Sequence, residues 1–303
     1  MSFNNKFFIL LRKINTFLSL KGFFDFLSDI SFIKMRYRLC IGKKIDLSNP
    51  KTFNEKLQWL KLYNRDPMQI TMVDKRLAKD YVANIIGTEY VIPMLGFWHR
   101  AEDIDFDSLP NQFVLKCNHD SGGIVICRDK SLLDRDETVA KLKKALKRDP
   151  YKAAREWPYK NVDRCIIAEE YIEDSARHQL LDYKFFTFGG KVKALFIASD
   201  RQLKDVPTKF DFFDENFNHL PIINGHPNSH DLPQKPKNFD LMKVLAEKLS
   251  VGTPHLRVDF YEADGKVYFG ELTFFHYGGL VPFYPEEWDE TFGSWIELPD
   301  KNI

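Results

Sequence analysis

The sequence has 303 residues, of which 44% are apolar and 29% are charged, a composition typical of a folded protein rather than a disordered one. No stretch approaches the roughly 18 consecutive apolar residues that a membrane-spanning helix requires. The four cysteines form no C-x-x-C pair, which argues against a disulfide framework or a zinc knuckle. Because the sequence also shows no signal-peptide pattern, we expect a reduced, cytoplasmic protein.

The net charge of +1 conceals two regions of opposite sign. Residues 1–44 contain nine basic and two acidic side chains, a net +7, which leaves −6 on the other 259 residues. A helix is predicted here with four apolar residues on one stripe: Phe7, Leu11, Ile14 and Leu18. Two interpretations stay open, a helix packed on the protein's own body or one in peripheral contact with an anionic membrane at its inner face.

The next elements mix helix and strand signals. Thr52 and Glu55 form a capping box that predicts a helix start, and a second helix is predicted over residues 72–86, ended by Gly87. A strand is expected at residues 90–95.

From residue 113 onward β signals dominate, and the body is predicted to be α+β. Seven further strands are predicted, at residues 113–117, 124–127, 166–172, 183–188, 191–198, 255–262 and 266–274. Helices are predicted at residues 136–147 and 241–249, and residues 207–236 are loop-rich and a candidate lid or acceptor-binding loop.

The segment 255–274 has the pattern of two alternating strands joined by a turn. We predict a three-residue loop at residues 263–265, with Gly265 in the left-handed conformation. This loop pairs Glu262 with Lys266, which sets the register of the whole hairpin.

In that register Arg257 faces Glu271, and four polar side chains share one face of the hairpin because strand side chains alternate with period two: Arg257, Asp259, Glu271 and Thr273. An ordinary cross-strand ion pair is the alternative interpretation. However, two carboxylates on a half-buried sheet require a cationic partner. Mg²⁺ accepts one or two carboxylates and completes its coordination with water and phosphate oxygens.

A second motif begins with Lys116 on a strand and continues into a glycine-containing turn: Asp120, Ser121, Gly122 and Gly123. Backbone N–H groups of such a turn can close over phosphates that the lysine neutralises. The motif matches neither the P-loop nor the G-x-G-x-x-G pattern, so a plain hairpin loop is the alternative.

A third motif is an apolar strand, from Ile166, that runs into acidic residues. Its backbone offers the donor and acceptor pair that an adenine edge requires, and Glu173 or Asp174 would accept hydrogen bonds from ribose hydroxyls. A strand ending in solvated acids is the alternative. Shortly afterwards Lys184 provides another lysine on a strand.

The order of these parts resembles the ATP-grasp superfamily. Three motifs are similar to its teichuronopeptide-biosynthesis (TupA-like) branch: Lys-Thr-Phe-Asn-Glu-Lys-Leu-Gln-Trp-Leu at 51–60, Lys-Cys-Asn-His-Asp-Ser-Gly-Gly at 116–123 and Phe-Gly-Glu-Leu-Thr-Phe at 269–274. The resemblance covers about residues 37 to 299.

The resemblance implies two α+β lobes that clamp ATP, with a basic helical N-terminal extension. We expect the extension at residues 1–45, a pre-ATP-grasp domain at 46–111, a first lobe with the glycine-rich flap at 112–173 and a second lobe with the magnesium-binding hairpin at 174–303.

The resemblance also implies a role for each matching residue. Lys116 and Lys184 correspond to lysines on the α- and β-phosphates, and Arg257 to the arginine that steadies the γ-phosphate or the tetrahedral intermediate, so Arg257 and Lys184 are the expected catalytic residues. The flap is expected at residues 120–123. The adenine hinge and ribose ligand are expected at Glu169, Glu170, Tyr171, Ile172 and Glu173, and the Mg²⁺ ligands at Asp259, Glu271 and Thr273. The chain has Thr273 where many ATP-grasp ligases have Asn.

The implied activity is an ADP-forming ligase that uses ATP and Mg²⁺. A carboxylate attacks the γ-phosphate to give an acylphosphate, and an amine then displaces phosphate to form an amide. The TupA-like resemblance places this reaction in cell-envelope polysaccharide assembly (teichuronopeptide, capsule or lipopolysaccharide). The expected substrates are a saccharide acceptor containing a uronic acid and an amino acid, peptide or other amine; no nucleic-acid partner is expected.

Several alternatives remain open. Asp103-Ile-Asp105 or Asp105-Phe-Asp107 would be a D-x-D motif if the protein were a glycosyltransferase that uses a nucleotide sugar, although a solvated acidic loop explains them more simply. A non-catalytic scaffold is a third option. Three basic residues are candidates for gripping an anionic acceptor, with a solvated loop as the alternative: Arg201, Lys204 and Lys209. His119 and His276 are interpreted as structural or solvated, with substrate contact as the alternative.

Overall fold

The computed structural model describes residues 3–175, 180–200 and 206–301, with side chains described from residue 11 onward. Over these residues the α-helices are α1 (Phe3–Leu20), α2 (Asp29–Ile41), α3 (Phe53–Tyr63), α4 (Met68–Val73), α5 (Leu77–Ile86), α6 (Arg135–Leu146), α7 (Pro150–Ala154), α8 (Phe239–Leu249) and α9 (Glu287–Ser294). The strands are β1 (Met94–Trp98), β2 (Phe113–Cys117), β3 (Ile124–Cys127), β4 (Ile166–Glu170), β5 (Asp182–Phe188), β6 (Lys191–Ser199), β7 (Lys209–Asp214), β8 (His219–Leu220), β9 (His255–Ala263) and β10 (Lys266–Thr273).

The strands form two antiparallel sheets, which confirms the α+β class. The small sheet has the order β1-β4-β2-β3, and the large sheet has the order β10-β9-β5-β6-β7-β8. One face of the small sheet packs on α6, and the large sheet carries most of the main core. The candidate site residues are therefore divided between two sheets.

The elements predicted at residues 72–86 and 90–95 are wrong in extent, and the strand expected at 90–95 is β1 at Met94–Trp98. The single helix predicted over residues 72–86 is two helices, because Asp74 Oδ1 accepts hydrogen bonds from the backbone N–H groups of Arg76 and Leu77 and turns the chain between them. The loop-rich stretch at residues 207–236 also contains β7, which pairs with β6, and β8, which pairs with β7, and this pairing overrides the local turn signals.

The β9–β10 hairpin differs from its predicted register. Its turn has two residues, Asp264 and Gly265, both with positive φ as a type I′ turn requires, so Lys266 pairs with Ala263 rather than with Glu262. This one-residue shift by itself would move half of the site to the other face. A bulge at Gly270 restores the facing, and Asp259 pairs with Glu271. A Cβ atom at Gly270 would lie 3.1 Å from the Asp259 carbonyl oxygen, so glycine permits the close approach.

The core beneath the site is built around Phe53, at the start of α3. Its ring lies 5.0 Å from the His255 ring and 5.8 Å from the Phe292 ring of α9. The α3 start is closed by the predicted capping box, in which Thr52 and Glu55 exchange side-chain and backbone hydrogen bonds. Helix α3 is thus anchored against the interior strands β5 and β9 of the large sheet.

The N-terminal helices pack on one another and on the body. Arg36 of α2 donates to Asn15 Oδ1 of α1 at 2.5 Å, and the Arg155 guanidinium lies 4.1 Å above the Phe32 ring. Asp29 accepts a hydrogen bond from the Tyr151 hydroxyl at 2.6 Å. Among the described residues, the structure contains no helix that combines the length and hydrophobicity of a membrane span.

Buried His255 makes stability depend on pH. Its Nδ1–H donates to the Thr187 carbonyl at 2.9 Å, and burial lowers the pKa of His255 to about 3. In the unfolded chain the His255 imidazole is protonated as the pH falls below about 6.5, whereas in the folded chain it stays neutral. The free energy of unfolding therefore falls as the pH drops below 6.5.

We expect His255→Phe to remove this proton uptake. The free energy of unfolding should then depend less steeply on pH, by up to about 1.4 kcal/mol per pH unit between pH 6 and 4. At pH 7 the variant should lose about 1 kcal/mol with the hydrogen bond to Thr187. Urea unfolding at pH 7 and at pH 4 measures these two effects. His219→Phe, at an exposed histidine of β8, is the control. An acid dependence equal to that of the wild type would contradict the assignment.

Candidate active site

A cavity of about 560 Å³ lies where the turn after β2 approaches the hairpin of the large sheet. Six of the expected site residues line it: Asp120, Ser121, Lys184, Arg257, Glu271 and Thr273. The structure thus brings the flap and the acidic hairpin to one shared cavity, although these residues are up to 153 positions apart in the sequence.

Arg257 is the centre of the hairpin cluster. Its Nε donates to Asp259 Oδ1 at 2.7 Å and its Nη2 to Asp259 Oδ2 at 2.8 Å, a bidentate pair. The same Nη2 lies 2.9 Å from Glu271 Oε1 and 3.1 Å from Thr273 Oγ1. The sequence prediction that these four side chains converge is confirmed, in a different register.

Lys184 joins this cluster from β5, directly across from Asp259 in the ladder. Its ammonium group bonds Asp259 Oδ2 and lies 3.0 Å from Asp182 Oδ2. Burial lowers the pKa of Lys184, and Asp259 only partly restores it. Lys184 is therefore a buried cation whose ammonium faces both the acids and the cavity.

Lys75 is a cavity residue that the sequence analysis missed. It follows the Asp74 turn between α4 and α5, and its Nζ lies 3.6 Å from Glu271 Oε2. Burial by itself raises the pKa of Glu271, but Lys75, Lys184 and Arg257 outweigh burial and hold the pKa far below its usual range. Glu271 is consequently a carboxylate in the folded protein. The sequence signal that could have identified Lys75 was its position at a break in a helical pattern.

The flap loop connects β2 to β3. Arg148 Nη1 donates to Asp120 Oδ2 at 2.8 Å, and a Cβ atom on Gly123 would lie 2.4 Å from the Ala145 side chain. Close packing against α6 thus requires glycine at position 123. His119 is buried beside the loop, with Nε2 3.1 Å from the Arg148 carbonyl oxygen, so it lines the cavity and also has a structural partner.

Lys116 lies on the small sheet and does not line the cavity. Its Nζ lies 2.5 Å from Glu169 Oε2, while Lys79 of α5 lies 2.6 Å from Glu169 Oε1. Burial raises the pKa of Glu169, but the two lysines outweigh burial and lower it. Lys79 is a second residue that the sequence analysis missed, because its position on a helix carried no sign of the strand it faces.

The open face of the small sheet surrounds this ion cluster with apolar side chains. Cross-strand pairing places Val114, Lys116, Ile124 and Ile126 on the face opposite to α6, and Ile126 is 40% exposed. An apolar surface next to a lysine suits a nucleotide base and its phosphates.

The expected adenine hinge begins at the end of β4 and continues without regular secondary structure. Glu169 points at the lysines, Glu170 is exposed, and the Tyr171 hydroxyl accepts a hydrogen bond from Arg128 Nε at 2.9 Å. Ile172 and Glu173 are half-buried. None of these five residues lines the cavity, so the hinge and Lys116 form a second group of expected site residues.

His276 holds Arg257 from the far side. Its ring is buried, and burial together with Arg257 keeps the pKa of His276 well below 6.5, so the ring is neutral. Nδ1 accepts from Arg257 Nη1 at 2.8 Å, which leaves Nε2–H to donate to Asn224 Oδ1 at 2.9 Å. The interpretation of His276 as structural is thus supported, with the addition that it also lines the cavity.

The hairpin oxygens suit a hard cation such as Mg²⁺. Glu271 Oε1 and Thr273 Oγ1 lie 3.5 Å apart, and the Glu271 side chain is 31% exposed. Asp259 is fully buried, and both its oxygens contact Arg257 or Lys184. Within the described part of the chain, no three His, Cys, Asp or Glu side chains form a metal cluster. Mg²⁺ with phosphate ligands needs only one or two carboxylates, so the donor set fits.

Some candidates fall elsewhere. Arg201 and Lys204 lie outside the described residues, and Lys209 is a half-buried residue at the start of β7. In the D-x-D segment, Asp105 Oδ1 accepts backbone hydrogen bonds within its own turn, and Asp107 pairs with Arg135 at 2.6 Å on the surface. These acids do not line the cavity.

The geometry, with two sheets, a flap loop and an acidic hairpin about one cavity, is that of the ATP-grasp class. The family model for TupA-like ATP-grasp proteins matches residues 55–297, so the chain belongs to that family. ATP-grasp ligases are enzymes that form amide or other C–N bonds and use ATP and Mg²⁺, the cofactors that the sequence resemblance implied.

Solved ATP-grasp structures resemble the chain at low identity. A D-alanine–D-alanine ligase from Bacillus anthracis complexed with ATP is 16% identical over 67% of this chain and 53% of its own, with a TM-score of 0.39. The corresponding ligase from Helicobacter pylori is 12% identical over 83% and 68%, with a TM-score of 0.44. D-cycloserine synthetase DcsG is 15% identical over 69% and 64%, with a TM-score of 0.42.

This chain spans little more than half the length of the Bacillus anthracis ligase. A search of curated protein sequences found no match.

We expect Glu169→Gln to lower the free energy of unfolding by about 3 kcal/mol, because it leaves two nearly buried lysines facing each other without a carboxylate. Glu170→Gln makes the same chemical change at the exposed neighbour and should stay within about 0.5 kcal/mol of the wild type. Urea unfolding of both variants at pH 7 measures the difference. Equal stabilities would show that the ion cluster contributes nothing.

Proposed function

We propose that this protein is an ATP-dependent carboxylate–amine ligase of cell-envelope polysaccharide biosynthesis, which joins an amino acid or peptide to a uronic acid. The observation that carries the ligase chemistry is the shared cavity of the flap residues and the Arg257 cluster. The polysaccharide and uronic-acid parts are supported by the sequence motifs of the TupA-like family.

In the proposed first step, an oxygen of the substrate carboxylate attacks the γ-phosphorus of ATP. The bond to the β–γ bridging oxygen breaks, and ADP leaves with the electron pair. Negative charge crowds at the γ-phosphate, where the Arg257 and Lys184 cations stabilise it. Glu271, Thr273 and Asp259 would hold Mg²⁺, which supplies further charge neutralisation and orients the phosphates. The product of this step is an acylphosphate.

In the second step, the amine attacks the acyl carbon and phosphate leaves. The neutral His276 holds Arg257 by accepting its Nη1–H, which keeps the guanidinium directed at the cavity. The Asp120–Gly123 turn would cover the phosphates and exclude water, which otherwise hydrolyses the acylphosphate. The residues of the small sheet, Lys116 and the hinge, would hold the remainder of the nucleotide.

We expect Glu271→Gln to lower kcat/KM for ATP by at least about 100-fold, because it removes a charged ligand from the proposed Mg²⁺ site. ADP release with Mg²⁺, D-glucuronate or D-galacturonate and a set of amino acids measures this. Glu271→Gln is a more specific test than Asp259→Asn, because Asp259 is fully buried and its loss would also destabilise the fold.

Glu290→Gln, at an exposed glutamate of α9, is the matched control. Wild-type protein that releases no ADP with any combination of these substrates would contradict the proposed reaction. Stabilisation by a UDP-sugar with Mn²⁺ and not by ATP would instead favour the glycosyltransferase alternative.

We also propose that the N-terminal helices contact an anionic membrane at its inner face. Although these helices pack on the body, α1 and the turn between α1 and α2 leave large apolar side chains exposed: Ile14 at 45%, Phe17 at 60%, Phe23 at 61% and Phe26 at 78%. Lys13 and Lys21, which are also exposed, lie next to them in the sequence, and Lys34 is exposed on α2. Aromatic side chains that enter the lipid interface beside lysines that attract anionic lipids are typical of peripheral membrane binding.

The test is a variant in which Phe17, Phe23 and Phe26 are replaced by Ser. We expect at least about a 100-fold weaker partition onto vesicles containing phosphatidylglycerol, since each phenylalanine contributes about 1.5–3 kcal/mol when buried. Leu132→Ser, at an 83% exposed leucine of the body, is the control. Cosedimentation measures binding, and unchanged binding of the triple variant would contradict the contact.

A further inference from the structure

The charged side chains that line the cavity are paired, with one exception among the described residues. The pairs are Arg148 with Asp120 at 2.8 Å, Arg257 with Glu271 at 2.9 Å, Lys75 with Glu271 at 3.6 Å and Lys184 with the buried Asp259. The exception is Glu156, which lines the cavity and whose carboxylate forms no ion pair or hydrogen bond among the described residues, although the charges of Lys61 and Arg257 act on it from a distance.

The backbone holds Glu156 in a fixed position. The preceding Arg155 has φ 55°, a left-handed conformation that costs free energy in a non-glycine residue. That conformation is held by buried contacts of its guanidinium, 4.1 Å from the Phe32 ring and 3.3 Å from Asp29 Oδ1. The following Trp157 is buried. The residues before and after Glu156 are therefore both packed into the protein, and Glu156 between them lines the cavity.

Lys61 is the cation whose charge acts most strongly on Glu156, but its ammonium forms no hydrogen bond with that carboxylate. Lys61 Nζ donates to Gln58 Oε1 at 3.0 Å, to the Ala154 carbonyl at 2.9 Å and to the Gly278 carbonyl at 2.6 Å. These three neutral acceptors use all three N–H groups of the ammonium. The carboxylate of Glu156 is thus left available on the cavity side.

The proposed reaction has only one cationic substrate. ATP and the substrate carboxylate are anions, whereas an amine is an ammonium ion near neutral pH. An unpaired carboxylate in a cavity otherwise built to hold anions matches only that ammonium. We propose that Glu156 binds the amino group of the nitrogen substrate and takes a proton from it before the amide bond forms. This inference rests on the ligase function proposed above.

The step balances as follows. The ammonium transfers one proton to the Glu156 carboxylate, which gives a neutral amine and a carboxylic acid. The nitrogen lone pair forms a bond to the acyl carbon of the acylphosphate, the bond between that carbon and the oxygen bridging to phosphorus breaks, and phosphate leaves with the electron pair of the broken bond. The second proton of the nitrogen leaves with phosphate or to water.

The surroundings of Glu156 suit a proton acceptor. Burial raises the pKa of Glu156 to about 7, and Lys61 and Arg257 limit that rise, while Glu271 adds to it. Tyr159, on the same turn, is a further titratable group close to Glu156. A general base is most effective when its pKa lies near the working pH.

Hydroxylamine separates the two chemical steps. It traps acylphosphates as hydroxamates and is largely neutral at pH 7, so it needs no carboxylate to remove a proton. With ATP, Mg²⁺ and D-glucuronate or D-galacturonate, Glu156→Gln should keep hydroxamate formation within about twofold of the wild type, while the KM for glycine, L-alanine or L-glutamate rises by about 10- to 100-fold.

The pH dependence adds a readout that a structural role would not change. The wild-type KM for the amine should fall as the pH rises from 6 to 8, because Glu156 ionises over that range, and Glu156→Gln should lack this fall. Glu156→Asp should recover part of the amine affinity, and Glu290→Gln should match the wild type throughout.

Two results would overturn the inference: an unchanged KM for the amine in Glu156→Gln, or an equal loss of hydroxamate formation, which would assign Glu156 to phosphoryl transfer or folding. If the wild type forms no hydroxamate from either uronate, the uronate part of the proposed function fails. In that case the inference is tested by calorimetric titration of the three amino acids into protein that contains Mg²⁺ and a non-hydrolysable ATP analogue. Binding that Glu156→Gln abolishes would support it, and no binding to the wild type would contradict it.

Discussion

The site depends on one buried carboxylate, that of Asp259. A fully buried carboxylate is costly unless cations and hydrogen bonds compensate for its lost hydration. Here Lys184 lies directly across the ladder on β5, and Arg257, two residues away on the same face of β9, binds both oxygens. Because the three groups compensate one another, two long polar side chains are held rigidly inside an apolar sheet. Their outer N–H groups are thereby directed at the cavity, where a phosphate would require them.

That arrangement extends outward through hydrogen bonds to parts of the chain far from the hairpin. Arg257 is held by the neutral His276, and the loop that carries His276 is held by α3, whose Gln58 and Lys61 donate to the carbonyl oxygen of Gly278. The lysine-rich motif of α3 therefore acts as a support for the site. The same Lys61 also lies behind Glu156, so α3 links the phosphate-binding cluster to the proposed amine subsite.

Much of the local structure could be predicted because it depends on local signals. The capping box at Thr52 and the strands β2 and β3 were predicted within a residue, since pattern and turn residues agree there. The hairpin shows the limit of such reasoning. Its four site residues were predicted to share a face, which is correct, but for an incorrect register. The two-residue turn shifts the strand pairing by one residue, and the bulge at Gly270 shifts it back. Neither the bulge nor its position has a clear signal in the alternation of polar and apolar residues.

The sequence by itself determined the α+β class, the family and the residue types of the hairpin and flap, because these follow from periodicity and from motifs at close spacing. Only the tertiary structure decided which charges meet. Lys75 and Lys79 face Glu271 and Glu169 because helix α5 and the turn before it pack against strands distant in the sequence. Glu156 is left unpaired because the N–H groups of Lys61 are already used by carbonyl and amide oxygens. Long-range pairing and the desolvation of each charge are properties of the packed chain, and no local pattern encodes them.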